Sequence, residues 1–195
     1  MADRIYLSLW FPTQREDEML PRLESALLQF PVSKRRPGVL GVTVQPLDWS
    51  EAALLSEFFE PGVSSPAAVA AMREFAHADY AFEAVACWDL WNFTQGTWQL
   101  EALPVRLVSI GEQFGEATAQ EMGHLMLDLG LDTPFLAEDA AWNPQTETRI
   151  AANIAQLLKL SHDLEAVLHP TGRLLWSESD RDLAHQLTAR LQRIH

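Results

Sequence analysis

Residues 80–92, YAFEAVACWDLWN, form a long run in which side chains of two kinds alternate. The run divides at every second position into Phe82, Ala84, Ala86, Trp88 and Leu90 on one side and Glu83, Val85, Cys87, Asp89 and Trp91 on the other. A period of two is typical of a β-strand, whose successive side chains point to opposite faces of a sheet. This stretch therefore predicts a long strand with one wholly apolar face.

Two further strands are predicted after this one. Thr94-Gln95-Gly96 supplies a turn. Residues 98–110 then return as a second strand, in which Pro104 indicates a sheet edge or a bulge. A third strand is expected at residues 123–131, where four leucines recur at every second position. An antiparallel meander is the simplest arrangement of three strands in succession.

The segments before this meander alternate between strand and helix patterns. Residues 5–11 read as a strand, leucines at helical spacing predict a helix that ends near Phe30, and residues 39–44 read as another strand. Two short helices are then predicted, at residues 50–59 and at residues 65–77. The chain thus begins with a β-α-β unit.

The C-terminal part is predicted to be mainly helical. A helix starts at Thr146 or Thr148 and reaches about Leu168, a short strand covers residues 173–177, and a last helix begins near Asp180. The buried stripe of that last helix is expected to be Leu183, Leu187, Leu191 and Ile194.

The order of these elements predicts an α+β fold in one domain that spans residues 1–195. We expect a mainly antiparallel sheet of five or six strands, helices packed mostly on one face, a β-α-β opening and a helix-strand-helix ending. A chain of 195 residues with 48% apolar residues can bury a core without a metal or a disulfide, and the lone Cys87 cannot form an intramolecular disulfide. No cofactor is therefore expected.

The formal net charge of −13 limits the classes of partner. Binding to nucleic acid or to anionic membranes needs clustered lysine and arginine, so neither partner is expected. No window approaches the roughly 20 apolar residues of a membrane span, and the first apolar stretch is too short for a signal peptide. We therefore expect a cytoplasmic protein, and its acidity suits a basic protein partner.

The basic cluster Lys34-Arg35-Arg36 precedes Pro37-Gly38 and has two interpretations. It is either a phosphate-binding loop or a solvated connection between two elements. No glycine-rich cradle surrounds it, which favours the connection.

Standard catalytic motifs are missing from the sequence. It contains no GxGxxG, GxxxxGK[ST], HExxH, GxSxG or CxxC pattern. Nucleotide-binding Rossmann enzymes, P-loop enzymes, zinc peptidases and α/β-hydrolases are therefore disfavoured.

The meander suggests one polar cluster. If Trp91 pairs with Trp98, the same register of the first two strands sets Glu83 opposite Arg106. If Glu112 pairs with His124, the register of the second and third strands makes Arg106 a diagonal neighbour of Asp128. One sheet face would then carry Glu83, Asp89, Arg106, Glu112, His124 and Asp128, with Trp91 and Trp98 at one end. Arg106 could bind an anion and His124 could act as a base oriented by Glu112 or Asp128. The alternative is a solvated face braced by weak ion pairs, and a register slip of one residue would remove the cluster.

A second cluster lies on the long C-terminal helix. His162, Glu165 and His169 fall on the flank of its apolar stripe, and spacings of three and four residues can direct such side chains at one metal ion. A histidine at a helix end is also stabilised by the helix dipole, which explains His169 without a metal. We favour the second explanation.

These observations predict a non-enzymatic binding or protein-interaction module that regulates or inhibits a basic protein partner. The alternative is a small hydrolase or isomerase that uses the cluster around His124. We also expect a homodimer, because Trp91 and Trp98 flank the tip of a hairpin.

Overall fold

The computed structural model describes residues 2–136, 141, 143–179, 183 and 187. Within them it contains one antiparallel sheet, whose strands lie in the order β3-β2-β4-β5-β6-β1-β7. The strands are β1 (Arg4–Trp10), β2 (Val39–Pro46), β3 (Leu55–Val63), β4 (Tyr80–Thr94), β5 (Thr97–Ile110), β6 (Leu125–Leu131) and β7 (Gly172–Ser177). The predicted α+β class and the antiparallel sheet are confirmed, but the sheet has seven strands rather than five or six.

Five α-helices accompany the sheet in the described part of the chain. They are α1 (Glu16–Gln29), α2 (Ser65–Met72), α3 (Thr118–Met122), α4 (Thr133–Leu136) and α5 (Pro144–Leu168), and a short 3₁₀ turn, Arg73–Phe75, follows α2. The predicted last helix falls mostly outside the described residues. Of its predicted stripe, Leu183 and Leu187 are buried in the main core, whereas Leu191 and Ile194 lie outside the described part.

The additional strand is β3, and the helix predicted at residues 50–59 is wrong. Leu55, Phe59 and Val63 pack partly against the core at intervals of four residues. An interval of four suits one face of a helix, but it is also a multiple of two and so suits one face of a strand. Antiparallel pairing with β2, for example between Gly41 and Phe58, gives the segment its backbone partners and decides in favour of the strand.

The hairpin of β4 and β5 is closed by a two-residue turn. Gln95 and Gly96 both have positive φ, +53° and +77°, as a type I′ turn requires. Thr94 therefore pairs with Thr97, and the pairing continues without a bulge to Ala81 opposite Ile110. This register differs by two residues from the predicted one.

The two faces of the sheet are covered unequally. Helices α1, α2 and α5 pack on the face that carries Phe82, Trp88 and Leu127, and these residues belong to the main core. On the opposite face, which we call the open face, a smaller cluster around Phe114 covers only one end. The members of that cluster are Ala81, Val108, Ile110, Phe114, Ala119 and Met126.

Strands β1 and β2 of the β-α-β opening are not neighbours. Strands β6, β5 and β4 lie between them, and every pairing along this series is antiparallel. Strands β1 and β2 therefore run in the same direction at a distance, and α1 crosses the core face to connect them.

Beyond its pairing with β2, strand β4 has a free edge, which α5 covers. The buried side chain of Asn153 accepts a hydrogen bond from the backbone N–H of Trp91 at 3.0 Å and donates one to the carbonyl of Trp91 at 2.7 Å. It also donates to the carbonyl of Pro134 at 2.7 Å. One amide side chain thus takes the place of a neighbouring strand at this point.

We expect Leu127→Ala to destabilise the fold strongly, because Leu127 is fully buried in the main core. The loss of its side chain should cost about 2–5 kcal/mol in the free energy of unfolding, through lost burial and the cavity that remains. Chemical denaturation measures the difference. The matched control is Leu28→Ala on α1, where the leucine is 61% exposed and the change should stay within about 0.5 kcal/mol.

Candidate functional site

Three residues of the predicted polar cluster meet on the open face. Arg106 lies directly opposite Asp128, and its Nε is 3.7 Å from Asp128 Oδ2 and 3.5 Å from Glu83 Oε2. Glu83 pairs with Val108 rather than with Arg106. The two-residue difference in register keeps every side chain on its predicted face, so the three charges still converge.

Asp128 is the centre of this charged group. It is 4% exposed and accepts hydrogen bonds from Arg4 Nη2 at 2.6 Å and from the backbone N–H of Gly130 at 3.1 Å. The hydrogen bond from Arg4 to Asp128 raises the pKa of Arg4. Burial raises the pKa of Glu83; Arg106 opposes this rise, and Asp128 adds to it. Two carboxylates and two guanidinium groups therefore largely neutralise each other.

Arg4 and Tyr6 belong to this group, although the sequence did not indicate them. Strand β1 pairs with β6, which sets Tyr6 opposite Asp128. Burial raises the pKa of the Tyr6 phenol, and its ring stacks on Trp176 with 4.5 Å between centroids. Alternation along β1 could indicate that Arg4, Tyr6 and Ser8 share a face, but only the long-range pairing brings Arg4 and Tyr6 to Asp128.

His124 and Glu112 are not part of the charged group. His124 precedes β6, and the four residue steps from it to Asp128 span roughly 13 Å of extended chain. Its Nδ1 accepts a hydrogen bond from the backbone N–H of Phe11 at 2.9 Å, and Glu112 accepts one from the backbone N–H of Gln14 at 2.7 Å. Both side chains thus hold the connection between β1 and α1.

The same connection is secured by a buried glutamine. Gln14 is fully buried, and its Nε2 donates to Ser109 Oγ at 3.0 Å and to the carbonyl of His124 at 3.1 Å. Burial lowers the pKa of His124, and the nearby Glu112 opposes this effect. A neutral imidazole whose Nδ1 is already an acceptor suits a structural role.

Trp91 and Trp98 anchor α5 to the central hairpin. The guanidinium of Arg149 lies 4.5 Å from the ring centroid of Trp91 and 5.9 Å from that of Trp98. Trp98 Nε1 donates to Thr146 Oγ1 at 3.1 Å. Trp91 pairs with Leu100 and Trp98 with Phe93, so the two indoles do not face each other as predicted. These contacts weaken the prediction of a homodimer, because that prediction depended on the exposure of the two tryptophans.

Two of the three candidate metal-binding residues on α5, Glu165 and His169, have structural roles, and His162 is exposed. Glu165 forms an ion pair with Arg173 at 2.7 Å, and His169 is the C-cap of the helix with φ of +49°. Across the described ranges, no group of three or more His, Cys, Asp or Glu side chains is arranged to hold a metal ion.

A surface that the sequence did not reveal lies at one end of the sheet. The connections that meet there include residues 11–18, 45–54, 76–80 and 111–124, which carry nine acidic residues and one arginine. Backbone hydrogen bonds join them, from Leu47 to Asp79 at 2.9 Å, from Gly115 to Leu47 at 2.6 Å and from Gln113 to Ala78 at 3.1 Å.

Three apolar side chains stand out from this acidic surface. Leu47 is 51% exposed, and Trp49 and Leu54 are each 47% exposed. We call these three residues, together with the acidic residues Asp48, Glu51, Glu112 and Glu116 of the same and the adjoining connection, the Trp49 patch. Trp49 rests edge-on against Phe114, with 4.7 Å between ring centroids.

The loop that carries the Trp49 patch is held in one conformation. Gln45 donates from its side chain to the carbonyls of Asp48 and Glu51, and Asp48 accepts from the backbone N–H of Ser50 at 2.7 Å. None of the four carboxylates of the patch has a lysine or arginine within ion-pair distance among the described residues. The loop was not predicted, because a helix was expected at residues 50–59. A tryptophan beside acidic residues after Pro46 was the feature of the sequence that could have indicated it.

Comparisons with protein-family models, with curated proteins and with solved structures find no match to this chain. In the described part of the chain, no helix combines the length and the apolar character needed to cross a membrane. The contacts above are therefore the basis of any functional argument.

We expect stability to fall as the pH is lowered past the normal pKa of histidine. Burial holds the folded-state pKa of His124 below the value of 6.5 for an unperturbed histidine, so the unfolded state takes up the proton first. The stabilisation is complete above pH 6.5 and is lost as the pH falls toward the folded-state pKa. Urea denaturation between about pH 8 and pH 5 measures the slope.

The control for this pH dependence is a second histidine. His124→Asn should flatten the slope, since the side-chain oxygen can still accept from Phe11 without titrating, whereas His162→Asn on the exposed side of α5 should leave it unchanged. A pKa for His124 at or above 6.5 in a nuclear magnetic resonance titration would contradict the argument.

Proposed function

We propose that this protein is a non-enzymatic interaction module that binds a basic protein partner through the Trp49 patch and so regulates or inhibits that partner. The observation that carries the proposal is a half-exposed tryptophan on a loop held by hydrogen bonds, within connections whose residues Asp48, Glu51, Glu112 and Glu116 have no cationic partner among the described residues. The cytoplasmic location and the homodimer remain predictions.

The apolar part of the patch supports a contact with a protein. Tryptophan is enriched at the energetic centres of protein interfaces, where a few buried side chains contribute most of the affinity. Leu47 and Leu54 flank Trp49 with a similar exposed fraction, so a partner could bury all three together. Since Gln45 and Asp48 already hold the loop, little conformational entropy would be lost on binding.

The charge of the patch supports a basic partner. Unpaired carboxylates around an apolar centre attract lysine and arginine, and the net charge of −13 extends this attraction to longer range. Rim charges of this kind mainly raise the rate of association and discriminate against acidic proteins.

The alternative, a small hydrolase or isomerase that uses the cluster of His124, Glu112, Asp128 and Arg106, has weaker support. General acid–base catalysis needs the base within about 2.6–3.2 Å of its partner or one water away. His124 and Glu112 accept hydrogen bonds from the β1–α1 connection, and Arg106 is shared between Glu83 and Asp128.

We expect a basic amphipathic peptide of repeated Lys-Leu-Arg-Leu to bind at the Trp49 patch. In isotope-labelled protein, the largest amide shifts should fall within residues 45–54 and 112–116. Trp49→Ala should weaken binding at least about tenfold, the effect of losing about 1.4 kcal/mol at an interface centre. Binding should also weaken as the salt concentration rises from about 50 to about 300 mM.

Two matched carboxylate variants provide the control. Glu51→Gln removes a charge from the patch, whereas Glu60→Gln removes an exposed charge from the far end of β3. Only the first should weaken peptide binding. The proposal would be contradicted if wild type and Trp49→Ala bound the peptide with equal affinity, or if the amide shifts were spread evenly over the acidic surface.

A further inference from the structure

A groove crosses the open face at the end of β2 and β3 that lies away from the Trp49 patch. Its volume is about 690 Å³, and Leu40, Val85 and Pro104 are among the apolar residues that line it. Volumes of about 300–1,000 Å³ are usual for ligand sites. Phe58 also lines the groove and is 84% exposed, the highest fraction among the exposed large apolar residues of the described chain.

The basic loop of Lys34, Arg35 and Arg36 forms the rim of this groove. Arg35 and Arg36 line it directly, and all three side chains are exposed. Among the described residues, no carboxylate lies within ion-pair distance of any of the three. Glu60 lines the same groove without pairing with the arginines. In a chain with about twice as many acidic as basic residues, three consecutive cations without an ion-pair partner make this loop locally positive.

The backbone of the basic loop is fixed by β4. Ser33 Oγ donates to Asp89 at 2.6 Å and accepts from the backbone N–H groups of Arg35 and Arg36 at 3.0 Å each. The backbone N–H of Lys34 donates to Asp89 at 3.0 Å. A phosphate-binding loop needs free backbone N–H groups, and here all three are occupied. Anions can therefore be bound only by the side chains, whose planar guanidinium groups match a carboxylate as well as a phosphate group.

Close backbone packing holds the loop against β3. A Cβ at Gly62 would lie 2.4 Å from the carbonyl oxygen of Pro37, and a Cβ at Gly38 would lie 2.7 Å from that of Val63. Only glycine allows this approach. The backbones that carry the cationic rim and Phe58 are thus packed together, which limits the reorganisation that binding would require.

We propose that this groove binds an extended acidic segment of a partner protein. Arg35 and Arg36 bind its carboxylates, and Phe58 with Pro104 receives an apolar side chain placed between them. The open groove lies beside the edge strand β3 and offers several cations in a row, which suits a peptide with repeated carboxylates better than a ligand with one charge. The site is separate from the Trp49 patch, so either proposal can fail without the other.

The probe for this site is the peptide Glu-Leu-Glu-Phe-Glu-Glu, amidated at its C-terminus and carrying a fluorophore on its N-terminal nitrogen. Fluorescence anisotropy should show saturable binding. The double variant Arg35→Gln/Arg36→Gln and the single variant Phe58→Ala should each weaken binding at least about tenfold, the effect of losing an interface anchor. Replacing the four glutamates of the peptide by glutamine should abolish binding.

Two exposed residues elsewhere serve as controls. Arg73→Gln removes an exposed arginine, and Leu28→Ala removes an exposed apolar side chain. Both variants should bind the peptide as wild type does. Circular dichroism melts verify that each variant is folded, as expected because the substituted side chains are exposed.

Three results would overturn the proposal. The first is absent binding, or affinity that Arg35→Gln/Arg36→Gln and Phe58→Ala leave unchanged. The second is displacement of the peptide by inorganic phosphate or ATP at lower concentration than by unlabelled peptide, which would assign the loop to phosphate. The third is self-association of the wild-type chain in sedimentation that Arg35→Gln/Arg36→Gln removes, which would make a second copy the occupant.

Discussion

The structure depends on the pairing of β4 with β5, and a two-residue turn sets that pairing. Because Gln95 and Gly96 close the hairpin, Thr94 must lie opposite Thr97, and each later pair follows from the first. The pairing then brings Val85 opposite Arg106, and β6 in turn places Asp128 opposite Arg106. One local turn thus determines which face meets the helices and where charges can meet across three strands.

Buried polar side chains have a common role in this fold, since they satisfy backbone groups where strands end or lack a neighbour. Asn153 serves the free edge of β4, His124 serves the connection after β1, Gln14 serves the carbonyl just before β6, and Ser33 serves the connection before β2. An unsatisfied buried backbone group would cost about 1–3 kcal/mol, so such residues are required at these places. The requirement for partners of backbone groups explains in part why the sequence has a histidine and carboxylates that resemble catalytic groups.

Period-two alternation was sufficient to predict six of the seven strands and to divide residues 82–91 of β4 between the two faces. It was insufficient for register, because a shift of two residues leaves the faces unchanged and moves only the opposing partners. Glu83, Arg106 and Asp128 were therefore found together, although with different partners. Arg4 was missed because it reaches Asp128 through the pairing of β1 with β6, more than a hundred residues apart. The Trp49 patch was missed because the apolar residues of β3, which follows its loop, recur at intervals that also suit a helix.

The separation of the acidic connections from the basic loop has an electrostatic consequence. The carboxylates gather where β2 ends and β3 begins, whereas Lys34, Arg35 and Arg36 lie where β2 begins. These two groups therefore place opposite local charges at the two ends of β2. A positively charged surface would attract the acidic connections and repel the loop of Lys34, Arg35 and Arg36, so the groove beside that loop would face the solution.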